Sequence, residues 1–366
     1  MNIERMKSIF IELKNEISSL NTVGLFQNVI NQLQNQVSQP HEPSYQREVA
    51  NNLSRLEESL KKSPSNDFSP VWRKTLEELQ FDEYFGTNLL SKIELIFSKN
   101  QITPARALDE LKKIFEKLKE ISESINQVLS GLSKIKIEAE ILKPGECEVG
   151  VLIPREAIKN TLGNLTKELN EVDIIFSNFE EIVTGKRSGI RLRTISSSEP
   201  SFFFDTLPAV AAFTAVAVER ILALYKNLLE IKKLHKELKE NGVPEDDLKG
   251  IEQHANELIE KGVEKLLPEL FDKYAVKLER QRENELRNSL RISLNKLANR
   301  VDRGYNIEVR AKPPEEKKEG DIEEASSINK DSTNIKVVLE KSKSLRFIKS
   351  SGDPILCLPE DKEKKS

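Results

Sequence analysis

Lys186, Arg187, Arg191 and Arg193 cluster within one short stretch, and a basic two-stranded ribbon there could grip phosphates or enter a major groove. These four are the anion-binding candidates. Stacking aromatics and base-reading Asn or Gln are absent from the basic strand and its turn, so a solvated hairpin is the expected reading, with nucleic acid a weak second. Gly185-Lys186-Arg187-Ser188 superficially resembles a phosphate loop, but the preceding glycine of that motif is missing and no helix is expected after it.

Other groups offer less. His235 continues the apolar series Ile221, Leu224, Leu228, Ile231 and Leu238, where charging an imidazole among apolar neighbours would make a pH-sensitive seam. The plainer reading is a tolerated polar seam residue. His254 could face it across a helical hairpin, but His41 is remote and no H-E-x-x-H spacing completes a metal set. Glu180 and Glu181 sit on a segment expected to be a strand, where adjacent side chains point to opposite faces and cannot share a substrate. No glycine-rich dinucleotide motif, nucleophile elbow or Cys-His arrangement is present. Hence no catalysis, cofactor, metal or small-molecule substrate is expected.

The stretch from Leu207 to Val218 is the most apolar in the chain, yet it ends at Glu219-Arg220 after about a dozen residues, short of the roughly 20 a bilayer requires. A buried core helix is expected. Phe202, Phe203 and Phe204, just upstream, are the apolar contact candidates that keep a membrane surface as a weak alternative partner.

The elements that must position these groups are mostly helices. Among 366 residues, 32% are charged and only 6% aromatic, a balance typical of long amphipathic helices; the net charge of −3 gives no global field for nucleic acid. Two distant cysteines argue for a reducing compartment, and the charged amino terminus lacks a signal-peptide pattern, so a cytoplasmic location is expected.

From residue 1 to 132, apolar residues recur every three or four positions, predicting an N-terminal helical bundle or coiled coil. Its helices break at Pro40 and Pro43, Ser44 is expected to cap the next one, and new helices start at Ser69-Pro70 and Thr103-Pro104. Leu108, Leu111, Phe115, Leu118, Ile125, Leu129 and Leu132 form the longest seam.

At residue 133 the period changes to two. Ile135 to Ile141 and Cys147 to Ile153 read as a hairpin, Pro154 opens a helix through Leu169, and Ile174 to Val183 and Gly189 to Ile195 read as strands. The expected module over 133–204 is β-β-α-β-β.

Over 205–303 a nearly continuous helix should reach Glu240 and turn at Asn241-Gly242-Val243-Pro244. It should return as an antiparallel arm broken or kinked at Pro268, followed by a helix that stops at Gly304. Over 304–366 the expectation is a strand at Tyr305 to Val309, a solvated charged linker over 311–333, strands at Ile335 to Leu339, Leu345 to Ile348 and Ile355 to Leu358, and a frayed tail.

The fold class is therefore α+β and predominantly helical. The functional expectation is a non-catalytic interaction or scaffold protein acting through helical self-association or a protein partner. The alternative is a peripheral membrane or nucleic-acid-associated accessory factor.

Overall fold

A computed structural model describes residues 2–196, 200–277, 279–314, 325–345, 347 and 352–360. The protein is 70% helical, with twelve α-helices and one four-stranded antiparallel sheet among the described residues. It divides into two compact units, 1–141 and 142–366.

Unit 1 is all helical: α1 (Ile3–Ser19), α2 (Thr22–Ser38), α3 (Pro43–Lys61), α4 (Pro70–Glu78), α5 (Gly86–Lys99) and α6 (Pro104–Lys134). Ser69 caps α4 by accepting the Trp72 amide, as its position before a proline predicts. α3 differs: Glu42 rather than Ser44 is its cap, accepting the Ser44 amide, with Pro43 in the first turn.

The seam of α6 is buried along its whole length and serves two cores. Leu111 and Phe115 pack with Phe26, Leu33, Leu56 and Leu89 from α2, α3 and α5. Ile121, Ile125 and Leu129 pack with Ile9, Leu13, Phe68 and Leu76. The bundle thus covers its own stripes, each fully buried Leu or Phe side chain contributing roughly 1.5–3 kcal/mol against conformational entropy.

The expected strand at Ile135 to Ile141 is not one. Lys136 adopts a left-handed φ of 58°, and the segment then runs against α1. There the Glu140 amide donates to the Glu4 carbonyl at 3.1 Å, Ser8 Oγ donates to the Glu140 carbonyl at 2.7 Å, and the Arg5 guanidinium meets the Glu140 carboxylate at 2.6 Å. Alternation of Ile with Lys and Glu has the period of a strand, but these bonds to a helix satisfy the backbone instead.

Unit 2 contains β1 (Cys147–Leu152), α7 (Leu162–Thr184), β2 (Arg191–Ser196), β3 (Ser201–Thr206), α8 (Pro208–Lys226), α9 (Leu229–Glu240), α10 (Glu245–Tyr274), α11 (Arg280–Asp302), β4 (Asn306–Ala311) and α12 (Ala325–Ser344). The sheet order is β2-β3-β1-β4 with every neighbour antiparallel. β4 joins from far along the chain, so the expected local β-β-α-β-β module does not form.

Pro154 opens turns rather than a helix, because Lys159 and Asn160 both take positive φ; α7 begins later, with Thr161 accepting the Asn164 amide. Ile174 to Val183 belongs to that helix. Its buried apolar residues, Val172, Ile175, Phe176, Phe179, Ile182 and Val183, follow the helical three-and-four step, although β-branched and aromatic content suggested a strand.

The expected continuous helix over 205–240 is also divided. β3 extends to Thr206, α8 starts at Pro208, and bonds from Asn227 to the Leu224 carbonyl and from Leu228 to the Tyr225 carbonyl tighten the chain between α8 and α9. The α9–α10 hairpin turns at Gly242 with φ 84°, and α10 continues through Pro268 without ending there.

Ile335 to Leu339 lies inside α12, where Ile335 and Val338 are the most buried residues; the stretch carries both periods, and burial selects the helical one. Ile355 to Leu358 is neither helix nor strand. Of the expected linker over 311–333, Ala311 ends β4 and 325–333 belong to α12, while 315–324, parts of the strand at 345–348, and the tail at 361–366 lie outside the described residues.

α8 is the hub, packing on α7, α10, α11, α12 and the sheet. Ala211, Ala212, Phe213, Ala215 and Ala217 are fully buried, so the apolar run that sequence marks is a core helix. Among the described residues it is also the one helix long and apolar enough to cross a bilayer, with 67% of its most apolar window buried inside the protein.

Candidate functional site

Helix α11 presents a physical puzzle: every residue from Ile292 to Asp302 is buried, polar and charged ones included. An unpaired polar group in such a place costs about 1–3 kcal/mol, so each must find a partner. Several partners lie on helices. Ser293 Oγ accepts from Asn178 at 2.8 Å, Lys296 pairs with Glu171, and Arg300 meets Glu168 at 3.1 Å.

The remaining polar residues, Asn295, Asn299 and Asp302, stand at helical steps of four and three. They reach a segment without regular secondary structure, residues 352–360, together with Asn256 of α10. Asp302 Oδ2 accepts two successive backbone amides, Ile355 at 2.7 Å and Leu356 at 2.8 Å. Asn256 Oδ1 accepts the Cys357 amide at 2.7 Å while its amide nitrogen donates to the Ile355 carbonyl at 3.2 Å. Asn299 grips both sides of Leu358, accepting its amide and donating to its carbonyl, each at 3.0 Å. Asn295 donates to the Pro359 carbonyl at 3.0 Å.

The segment therefore has its main chain read by side-chain amides and one carboxylate, without a strand to pair with. Ile355, Leu356 and Leu358 insert into the core and are at most 7% exposed, while Cys357 faces solvent. Charge fixes both ends: Lys239 of α9 meets Asp353 at 2.8 Å, and Glu360 accepts from Asn299 at 2.7 Å with Arg300 at 3.5 Å. The bond from Lys239 holds the Asp353 carboxyl below its ordinary range.

Asp302 is itself held from behind. Its Oδ1 accepts from Lys232 Nζ at 2.7 Å and from Tyr225 OH at 2.9 Å, and the Lys232 and Asp302 side chains are 2% and 0% exposed. Three helices, α8, α9 and α11, thereby aim one carboxylate oxygen at the segment. Such pre-organisation lets the oxygen accept two amides without reorienting.

The residues singled out in sequence lie elsewhere. Arg187 is spent on Glu181 at 2.7 Å and Asn178 at 2.6 Å. Burial alone would raise the Glu181 carboxyl, but bonds from Arg187 and Arg282 outweigh it and leave the group below its usual range. Arg193 bonds Asp205 and Glu146, each at 2.6 Å. The Arg193 bond, helped by the Lys143 amide, lowers the Glu146 carboxyl. Lys186 is exposed on the loop after α7. Arg191 alone of the four lines a cavity of about 290 Å³, walled by Phe176, Phe204, Val210 and Thr214. The cluster is thus not gathered into one anion site.

Phe202, Phe203 and Phe204 form β3 and are buried, Phe202 and Phe204 on the helix-facing side and Phe203 on the other. They present no exposed wedge. His235 is buried and pairs with Glu252 at 3.1 Å, whereas His254 is exposed. Glu180 and Glu181 sit on a helix rather than a strand: Glu180 accepts the Ser188 amide at 2.9 Å, and Glu181 takes the arginines.

The groove residues were missed because Asn and Asp within an apolar helix read as its wet face. Spacing gave no separate signal: Leu294, Leu297, Ala298 and Val301 share one stripe of α11 and Asn295, Asn299 and Asp302 share the next, and only the contact with 352–360 buries the second. Comparison with protein-family models, curated proteins and solved structures finds no match to this chain.

Proposed function

We propose that the chain is a non-catalytic interaction protein whose binding surface is the α9–α10–α11 groove, and that the groove recognises a peptide segment through its backbone amides. One observation carries the reading: Asn256, Asn299 and Asp302 together accept four successive backbone amides, from Ile355 to Leu358. Backbone groups are common to all peptides, so these side chains supply affinity for a chain whose successive amides can turn toward them, and the apolar pockets beneath supply selection. This supports partner binding rather than helical self-association, since the apolar stripes of both units are covered within each unit.

The test uses the full chain with Ile355→Ser/Leu356→Ser, which weakens the resident segment and leaves every groove residue intact. A fluorescent peptide spanning residues 352–360 should bind this variant by anisotropy, and adding Asn299→Ala should weaken binding roughly 10-fold or more through lost bonds to both sides of Leu358. A folded variant that binds no peptide refutes the reading.

A further inference from the structure

The segment that fills the groove also describes what else would fit it. Its order is an acidic residue, Asp353, then Pro354, two adjacent aliphatics, one solvent-facing position, a third aliphatic, Pro359 and a second acidic residue, Glu360. Each feature meets a complement: Lys239 for the first acid, buried apolar sites for Ile355, Leu356 and Leu358, open solvent at Cys357, and Arg300 with Asn299 for the last acid.

The two prolines fall where they cost nothing. Among these groove bonds no amide is required at position 354 or 359, whereas 355 to 358 each donate one. Each proline restricts the backbone of the unbound chain at its own position, which lowers the ordering cost of binding. The match between chain chemistry and groove chemistry therefore runs from Asp353 to Glu360.

We infer that the groove's partner is a protein segment of this pattern, acidic residue, proline, two aliphatics, any residue, aliphatic, proline, acidic residue, and that residues 352–360 are its resident competitor in cis. The inference rests on the peptide-binding reading above and adds the partner's sequence class and its control. A tethered segment has an effective concentration of about 1 mM, so if the same segment as a free peptide binds the empty groove with a dissociation constant near 10 μM, a partner would bind the unaltered chain about 100-fold more weakly than the empty groove. Release of the tail, rather than any change in the groove, would then set the response.

The experiment compares three labelled peptides on two full-length proteins, the unaltered chain and Ile355→Ser/Leu356→Ser. The peptides are residues 352–360, a scrambled version, and one with Asp353 and Glu360 replaced by Lys. The expected result is binding of the first peptide to the variant, at least 10-fold weaker binding of the other two, and at least 10-fold weaker binding of the first peptide to the unaltered chain.

Equal binding of all three peptides to the variant would overturn the sequence class while leaving the peptide-binding reading in place. Equal affinity of the first peptide for both proteins would overturn the cis competition. No binding of any peptide to a folded variant would overturn the reading itself.

Should the variant fail to fold, hydrogen exchange on the unaltered chain reads the same competition. Millimolar free peptide must accelerate exchange at the chain's own amides 355 to 358, and unchanged protection overturns the inference.

Discussion

Removing the Asp302 carboxylate should be the most damaging single change in the groove. Asp302→Ala leaves the Lys232 ammonium buried without its carboxylate partner, with the Lys232 side chain 2% exposed. Breaking a buried pair from one side costs about 3–5 kcal/mol. The same change deprives the Ile355 and Leu356 amides of an ionised acceptor, each bond being worth about 1.5–3 kcal/mol. These terms share one carboxylate and do not add, so the expected loss is about 4–6 kcal/mol rather than their sum.

The assay is urea denaturation of the full chain followed by a unit 2 probe, because two units need not unfold in one transition. Lys232→Met should rescue a large part of the loss: in the double variant no stranded charge remains, and a coupling of about 2–3 kcal/mol is expected between the two sites. A cost for Asp302→Ala below about 1 kcal/mol, or strictly additive single variants, would refute the account of Asp302 as a buried, paired carboxylate.

Gly150→Ala would place a methyl carbon 2.6 Å from the Phe203 ring and 3.0 Å from Glu308 Cγ, so thermal unfolding should report a loss of about 1–3 kcal/mol from overpacking. Of the two cysteines, burial pushes the Cys147 thiol up to about 12 while Cys357 is exposed; a disulfide reagent at pH 8 should therefore modify one thiol in the folded chain and two in denaturant. Because the native thiol keeps its proton above the unfolded value of about 8.5, its contribution is full below that pH and declines as pH rises toward about 12, which alkaline denaturation of Cys147→Ala against the parent will measure. Burial also raises the Glu16 carboxyl, against opposing bonds from Ser63 and Ser65, so its contribution is full below about pH 4.3 and is lost as pH rises through the raised native value. Acidification should therefore widen the stability gap between the parent and Glu16→Ala in unit 1.

Much of the helical plan was legible because helix period and proline placement act locally. The α6 seam from Leu108 to Leu132 and the starts at Pro70 and Pro104 stand where spacing puts them. The errors share a cause, a short segment whose local pattern is overruled by what it packs against. Ile174 to Val183 carries the β-branched and aromatic residues of a strand on the apolar step of a helix, and contact with α11 and α8 selects the helix. Ile135 to Ile141 alternates like a strand but finds its hydrogen bonds on α1. Strand partners were hidden for a different reason: β1 pairs with β4 across more than 150 intervening residues, and no local pattern encodes that register. The groove was hidden by the same distance, since Asn299 looks like a surface residue until Leu358 is brought to it.

The route by which unit 2 closes also bears on its biogenesis. Its interior needs strands from near both ends of the unit, with β1 at 147–152 and β4 at 306–311, and then the side chains of Ile355, Leu356 and Leu358. Unit 1 by contrast has all its interior residues in hand by 132. During vectorial synthesis, at about 5–20 residues per second, the helical bundle can mature while the second unit waits at least ten seconds with an unsealed interior, a window in which chaperone dependence should concentrate.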